Sequence, residues 1–363
     1  MTLDPPRWRS PQRVLLTGGF VYTPADPFAT AMLVAGDEVA WVGSEGAALA
    51  MADGVDRVVE LAGALVTPAF VDAHAVDAPL PALVAERSAA GVGLLHVVED
   101  AAASMPHAPA DAEARPLLLA LLAEDQLAGT GWDAVLGTVV EVAGSPEELA
   151  ERVIDARGGG GMVCLQVRQA EQAGVVVEAL STLTRRSGGA PNALGGQPGG
   201  VRLDLAVPLT HEQIEQVALA GVPVCVRADA ATGLTGMPLA TMAAAGVPLA
   251  FGGADPWATI AAAVHHPDDD QRISARAAFL AHTRGGWRAA GMPGQGILAP
   301  GSAAHYAVWR VDDLVVQAPD DRIQAWSTDP RSGTPGLPDL SPGAARPRLQ
   351  ELAVWGAPVA IGV

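Results

Sequence analysis

The chain has 363 residues and no lysine, so all 22 of its basic residues are arginine. Chemistry that needs an amine side chain is thereby excluded, including a lysine Schiff base and a carbamylated lysine shared by two metals. Cysteine is nearly absent too. Cys164 and Cys225 are too few for a disulfide scaffold and too far apart for a CxxC metal knuckle, and a reducing cytoplasm suits them. Positive charge is scarce: 40 acidic residues against 22 basic ones give a net charge of -18, which argues against a nucleic-acid or anionic-membrane partner. Long apolar runs are missing as well. The longest uncharged stretch, Ala230 to Ala254, is interrupted by Gly233, Gly236, Pro238, Gly246, Pro248, Gly252 and Gly253, and so reads as loop, helix and buried strand instead of a membrane span. Residues Met1 to Arg13 hold three prolines and three arginines without an apolar core, so no secretory signal is expected there.

Half of the residues are hydrophobic, and mean hydropathy is +0.26, which rules out disorder for most of the chain. The 41 Gly and 29 Pro imply many turns and short connections, and the length suits one large barrel or two domains. From Arg13 to Leu65, apolar bursts at 14–16, 20–22, 31–34 and 39–42 alternate with turn residues, as in a small antiparallel sheet. A block after Leu298 has the same character, with strands expected at 305–311, 313–317, 323–327 and 351–355.

The middle follows a different pattern. Short apolar strands at 65–74, 92–98, 134–142, 162–167, 201–207, 222–227 and 247–253 alternate with helical patterns at 145–156, 170–184, 211–220, 238–245 and 273–290. Such repeated strand-helix units imply a parallel sheet, and seven or eight of them favour a closed TIM-like (β/α)8 barrel, an α/β fold. The segment 115–122 fits either the eighth strand or a helix. Gly158 to Gly161 and Ser187 to Gly200 read as loops, and Pro330 to Pro347 as an irregular surface segment. The tetraglycine has no following Lys-Ser/Thr and no GxGxxG context, so it is not a phosphate loop.

Several segments together resemble the amidohydrolase superfamily: Gly18 to Pro24, Ala31 to Val34 with Val39 to Gly43, and above all Leu65-Val66-Thr67-Pro68-Ala69-Phe70-Val71-Asp72-Ala73-His74. Arg272 to Phe279 and Ala281 to Gly291 resemble its metal-dependent, family-3-like branch, and Gly296 to Trp309 looks like the return into the family's small β domain. The resemblance implies a barrel over 66–296 and a composite β-sandwich built from 13–65 and 297–363. It also implies hydrolysis of C–N bonds by water activated on one or two divalent metals at the C-terminal ends of barrel strands.

Set against the family's ligand positions, the chain departs repeatedly. The family's His-x-His at the first strand is His74-Ala75-Val76 here, so the second imidazole is lost. Gln166 occupies the fifth-strand His position; Arg202-Leu203-Asp204-Leu205 stands for Arg-Leu-Glu-His, with Leu205 at the ligand. Ala254 falls at the catalytic Asp, with Asp255 able to serve in a shifted alignment. The chain also looks shortened after His74, because Ala89 to His96 follows almost at once. Zinc sites generally have three protein ligands, so Val76, Gln166, Leu205 and Ala254 mark a degenerate site and no bound metal is expected.

Structural roles compete with each candidate. His74 reads as a hydrogen-bonded histidine of the barrel mouth or a remnant ligand, and His96 as a structural residue or part of a rearranged site. Asp255 before Pro256 suits a helix N-cap as well as chemistry. His265-His266 reads as an exposed helix end, Arg284 and Arg288 share a helix face, and the two cysteines read as buried small side chains. The reading these residues favour is a catalytically impaired or inactive homologue that binds a small molecule or protein, by base rate as a homodimer. The alternative is a mononuclear zinc-type hydrolase using His74, His96 and Asp255. Metal-free acid-base chemistry by Asp72, Asp204 or His74 stays open as a third.

Overall fold

The computed structural model describes residues 3, 9–76, 79–98, 114–123, 133–188, 193–195, 199–228, 233–315 and 335–361. Six strands open the chain: β1 (Arg13–Thr17), β2 (Phe20–Val21), β3 (Ala31–Ala35), β4 (Glu38–Gly43), β5 (Arg57–Glu60) and β6 (Leu65–Pro68). The barrel strands follow as β7 (Phe70–Ala75), β8 (Val92–Val98), β9 (Leu117–Ala123), β10 (Ala134–Val140), β11 (Met162–Val167), β12 (Val201–Leu205), β13 (Val224–Arg227) and β14 (Leu249–Gly252). The chain ends with β15 (Tyr306–Arg310), β16 (Leu314–Val315), β17 (Leu337–Pro338), β18 (Arg348–Val354) and β19 (Ala357–Pro358).

Strands β7 to β14 lie side by side in sequence order, all parallel, with helices between most of them: a nearly closed TIM-type (β/α)8 barrel. Their near-continuous Val, Leu and Ala runs are what a parallel strand covered on both faces requires; β8 and β12 are buried along their whole length. The segment that fits strand or helix by sequence is β9, paired with β8 on one side and β10 on the other. Helix starts obey local capping chemistry. Ser145 and Glu148 form a reciprocal capping box at Pro146–Arg157, and Thr210 with Gln213 does the same at His211–Ala220.

The expected strand 65–74 divides into two. Its first half, β6, pairs antiparallel with β15 (Leu65 opposite Trp309), while its second half, β7, pairs with β8 (Phe70 opposite Val92). Pro68 has no N–H to continue the ladder, and the Ala69 N–H turns to the His305 carbonyl at 3.0 Å. Strand β6 thus joins the five-stranded sheet β19-β18-β15-β6-β2, which packs on the four-stranded sheet β4-β3-β1-β5 through Leu16, Met32, Val66, Tyr306, Val308 and Ala353. The few aromatic residues concentrate where sheet and barrel meet. Phe70, Trp257, Phe279 and Trp309 pack ring to ring at centroid separations of 5.0 to 5.9 Å.

Three expectations change. The helix foreseen over 273–290 is two helices, Ala275–Ala281 and Arg284–Ala289, because Thr283 leaves helical geometry and its hydroxyl bonds the Phe279 carbonyl. Within Pro330 to Pro347, residues 337–338 form β17 with Leu337 and Leu340 buried, so the segment is not wholly a surface loop. His265 is exposed as foreseen, but His266 is buried, accepting from the Asp268 N–H and bonded to the Leu234 carbonyl. The expected strand 323–327 lies outside the described residues. Among the described residues no helix is long and apolar enough to cross a membrane.

Gly137 on β10 lies so close to β11 that a Cβ there would sit 1.7 Å from the Met162 carbonyl oxygen. Gly137→Ala is expected to lower stability by about 3 kcal/mol through backbone displacement. Gly174→Ala, in the middle of a helix and in open space, is expected to raise it by about 1 kcal/mol. Urea midpoints of the two variants should move in opposite directions.

Candidate functional site

Arg202 and Asp204 are two apart on β12, so both side chains leave the same face of the strand. In a strand otherwise made of Val and Leu, that spacing forces the two charges together in the barrel interior. Arg202 is fully buried. Its Nε donates to Asp204 Oδ1 at 2.8 Å, and Nη2 donates to Asp204 Oδ2 at 2.7 Å and to the Ala73 carbonyl at 2.6 Å. Nη1 donates to His96 Nδ1, on β8, at 2.8 Å. Asp204 Oδ2 in turn accepts from His74 Nδ1, on β7, at 2.5 Å. One guanidinium thus ties together side chains from β8 and β12 and the backbone of β7, and His74 of β7 joins through Asp204.

The electrostatics follow from that geometry. Burial alone would raise the Asp204 carboxyl, but Arg202, with His74 behind it, holds it well below the usual carboxylate range. Burial would likewise discharge Arg202, yet Asp204 keeps it cationic. Burial and then the Arg202 charge push the His96 imidazole well below its ordinary value, so it is neutral. Because its Nδ1 accepts from a guanidinium, its proton lies on Nε2, which is buried with no partner. His74 keeps a small exposed edge, at 14%.

A second buried ion pair lies beside the first and closes the barrel. Asp72 Oδ2 accepts from Arg87 Nε at 2.7 Å, and Oδ1 accepts the backbone N–H groups of His74 at 3.2 Å and Gly253 at 3.1 Å. Gly253 directly follows β14, so Asp72 bridges the first and last barrel strands. Gly252 makes room for that approach, since a Cβ there would meet His74 at 2.9 Å.

The other candidates have different settings. Asp255 caps the helix Pro256–Val264, accepting from the Ala258 N–H at 2.9 Å, and its second oxygen pairs with Arg346 at 2.6 Å. Ala254 is exposed, Val76 is half-buried just past β7, and Leu205 is buried at the end of β12. Gln166, on β11, accepts from Arg168. Glu99 and Asp100, the acidic residues that follow His96 in the sequence, lie outside the described residues. His74 and His96 thus share the guanidinium cluster, and Asp255 bonds elsewhere. Cys164 and Cys225 are buried free thiols, both raised well above the ordinary value, by burial first.

Sequence reasoning named Asp204 and Asp72 only as general acid-base candidates and passed over Arg202 and Arg87. The available signal was Arg-x-Asp inside an apolar strand, which cannot exist unpaired. A divalent metal needs several converging free lone pairs, but His96 Nδ1 is taken by the guanidinium and Asp204 already accepts two guanidinium N–H groups and that of His74, next to a fixed positive charge. As they stand, these residues do not fit such an ion. Among the described residues, no group of three or more His, Cys, Asp or Glu is placed to hold one.

A parallel eight-stranded barrel with ionic side chains gathered inside its strands is an architecture of hydrolases among many others. The amidohydrolase family model matches residues 108–328, more than half of the chain, and the chain belongs to that family. Its fold is similar to that of an adenosine deaminase from Xanthomonas campestris with bound zinc, at TM-score 0.62 and 18% identity over 98% of this chain and 93% of that one. It is similar also to an atrazine chlorohydrolase from Arthrobacter aurescens TC1 complexed with zinc, at TM-score 0.61 and 16% identity over 95% and 94%. A metal-dependent hydrolase from Pyrococcus horikoshii gives TM-score 0.56 and 14% identity over 85% and 98%. No curated protein matches the sequence.

Arg202→Met is expected to cost about 3 to 5 kcal/mol, because it leaves Asp204 buried without its cation, whereas Arg202→Met with Asp204→Leu should recover most of the loss. Chemical denaturation of both variants checks this. Stability should also fall with acid. Burial lowers His282 to about 4, so below the unfolded value near 6.5 the unfolded chain takes up a proton that the folded chain refuses. His96 acts in the same direction. Each contributes a loss of up to about 1.4 kcal/mol per pH unit, ending for His282 near its folded value. Urea midpoints at pH 7.5, 6 and 5 should fall in that order.

Proposed function

We propose that this chain is an amidohydrolase-family scaffold that binds or regulates instead of hydrolysing, with an internal guanidinium where its relatives' chemistry calls for a bound cation. The observation that carries the reading is the fully buried Arg202, whose donors meet Asp204, His96 and the Ala73 carbonyl. Placing a dication among the same groups would put it against a fixed positive charge, at a cost that grows in the low-dielectric interior. Substitution of the family's ligand positions by Val76, Leu205 and Ala254 supports the same view, since none of the three side chains can donate a lone pair.

We further read residues 13–65 and 297–363 as one composite β-sandwich domain on a barrel of 66–296, a reading supported by the pairing of β15 with β6. Two buried free thiols suit a reducing cytoplasm.

A second reading, hydrolysis of a C–N bond at an altered mononuclear site, draws on one feature. His74 engages Asp204 through Nδ1 and keeps an exposed edge, so its Nε2 is the nitrogen left to face a ligand. Metal content separates the two readings. After expression with zinc, manganese and iron available and purification without chelators, we expect well below one metal per chain, unchanged by His74→Ala. Stoichiometric metal, lost in His74→Ala and required for hydrolysis of an amide or amidine, would overturn the proposal in favour of the second reading.

A further inference from the structure

Seven of the eight joints around the barrel are ladders of paired strands, from β7–β8 round to β13–β14. The eighth, between β14 and β7, has no ladder among the described residues, and these two strands are the ends of the sheet. The Phe70 N–H donates to Gly91 on the β8 side, so the backbone groups of Val71 point to the other edge, toward this seam. They are met there by a residue that belongs to no strand. The Val71 N–H donates to the His282 carbonyl at 2.7 Å, and the Val71 carbonyl accepts from His282 Nδ1 at 3.3 Å. His282 thus stands in for a strand residue, its imidazole supplying the donor that a neighbouring backbone N–H would. On the other side of the seam the Gly253 N–H, just past β14, donates to Asp72 Oδ1 at 3.1 Å.

The helix Arg284–Ala289 lies against the same seam. Two of its six residues are glycine, the poorest helix former apart from proline, so their presence in succession needs a reason. A Cβ on Gly285 would lie 2.1 Å from the Leu249 carbonyl oxygen of β14, and one on Gly286 would lie 2.4 Å from Val71 Cγ1 of β7. Each glycine meets one of the two end strands. His282, at the break between this helix and Ala275–Ala281, turns both its carbonyl and its ring to Val71.

Closure therefore rests on one imidazole, one carboxylate and one backbone carbonyl, where every other joint has a ladder along its length. A ladder must be broken pair by pair, whereas a side-chain latch is released by a local movement, and segments held by few bonds open below the cost of global unfolding. We propose that the β7–β14 seam is a latch that opens on its own, by movement of residues 282–286 away from β7, while the seven ladders stay paired. Opening uncovers the interior around Arg202, which has no exposed surface in the closed barrel. The inference stands apart from whether the barrel catalyses anything.

The two thiols report on the opening. Cys225 lies opposite Asp204 and Cys164 opposite Arg202, both in the layer of the ion cluster, and both are buried. Cys225 is on β13, next to β14, whereas Cys164 is on β11.

The full chain is labelled with N-ethylmaleimide across a urea series below the unfolding transition, at concentrations where the rate is proportional to reagent, and the sites are resolved by peptide mass spectrometry. We expect Cys225 to label before Cys164, with a urea dependence well below that of global unfolding, the sign of an opening that exposes little surface. His282→Phe keeps a ring but removes the Nδ1–H, and should speed Cys225 labelling about fivefold, the loss of one buried hydrogen bond. Gly286→Ala, which pushes on Val71, should act in the same direction and stands in should His282→Phe fail to fold by circular dichroism. Gly137→Ala, between β10 and β11 on the far side of the barrel, should lower the global urea midpoint yet leave Cys225 labelling unchanged, because its strain persists in the open form. Labelling of Cys225 only with the full urea dependence of global unfolding, labelling of Cys164 first, equal acceleration by Gly137→Ala and His282→Phe, or no acceleration in a folded seam variant would each overturn the proposal.

Discussion

A charge buried in a barrel must be paired, and the pairing of Arg202 with Asp204 organises the interior of this one. An arginine with no exposed surface is tolerable only when its donors find acceptors, and here they reach a carboxylate, an imidazole and a backbone carbonyl from three strands. His74 and His96 take their orientation from the same centre, one through Asp204 and the other through the guanidinium itself. Asp72 repeats the logic one step away, neutralised by Arg87 while it holds the backbone of both end strands. The two ion pairs thus join β7, β8, β12 and the residue after β14 through hydrogen bonds of fixed geometry, in addition to the apolar packing that sets strand register.

The outer architecture depends on a change of partner at Pro68 and Ala69. A single run of ten residues serves two sheets, and the switch falls where proline withdraws a ladder donor. Aromatic residues gather at that switch. The indole of Trp309 donates to Thr67 at 2.9 Å inside the joint, and Phe70 touches Trp257, Phe279 and Trp309. A chain with only 4% aromatic residues has placed much of its aromatic surface where barrel and sheet must grip each other.

Strand periodicity made the barrel legible from sequence. Val92 to Val98 and Met162 to Val167 have the bounds expected of them, because a strand buried on both faces leaves an unbroken apolar run. Helix ends were legible where caps are local, as at Ser145 and Thr210. What escaped depends on contacts distant in sequence. Nothing around His266 announces that Leu234 and Asp268 will bury it. The division of 65–74 is decided by β15, whereas the break at Thr283 is the local exception, a hydroxyl turning onto its own helix. For the site, the resemblance directs attention to metal-ligand positions, whereas Arg202 and Asp204 carry a different signal, since Arg-x-Asp in an apolar strand requires a buried salt bridge.

The pairing of β6 with β15 also sets a timetable. Thr67 and Trp309 meet across 242 residues, so the strand that leads into the barrel has no partner on that edge until nearly the whole polypeptide has left the ribosome. Closing so long a loop carries an entropic penalty that only the completed chain can offset. During synthesis the Val- and Leu-rich strands β7 to β14 therefore emerge before the sheet that anchors their first member exists. For that interval their protection from one another is left to the helices between them and to whatever chaperones the cell supplies.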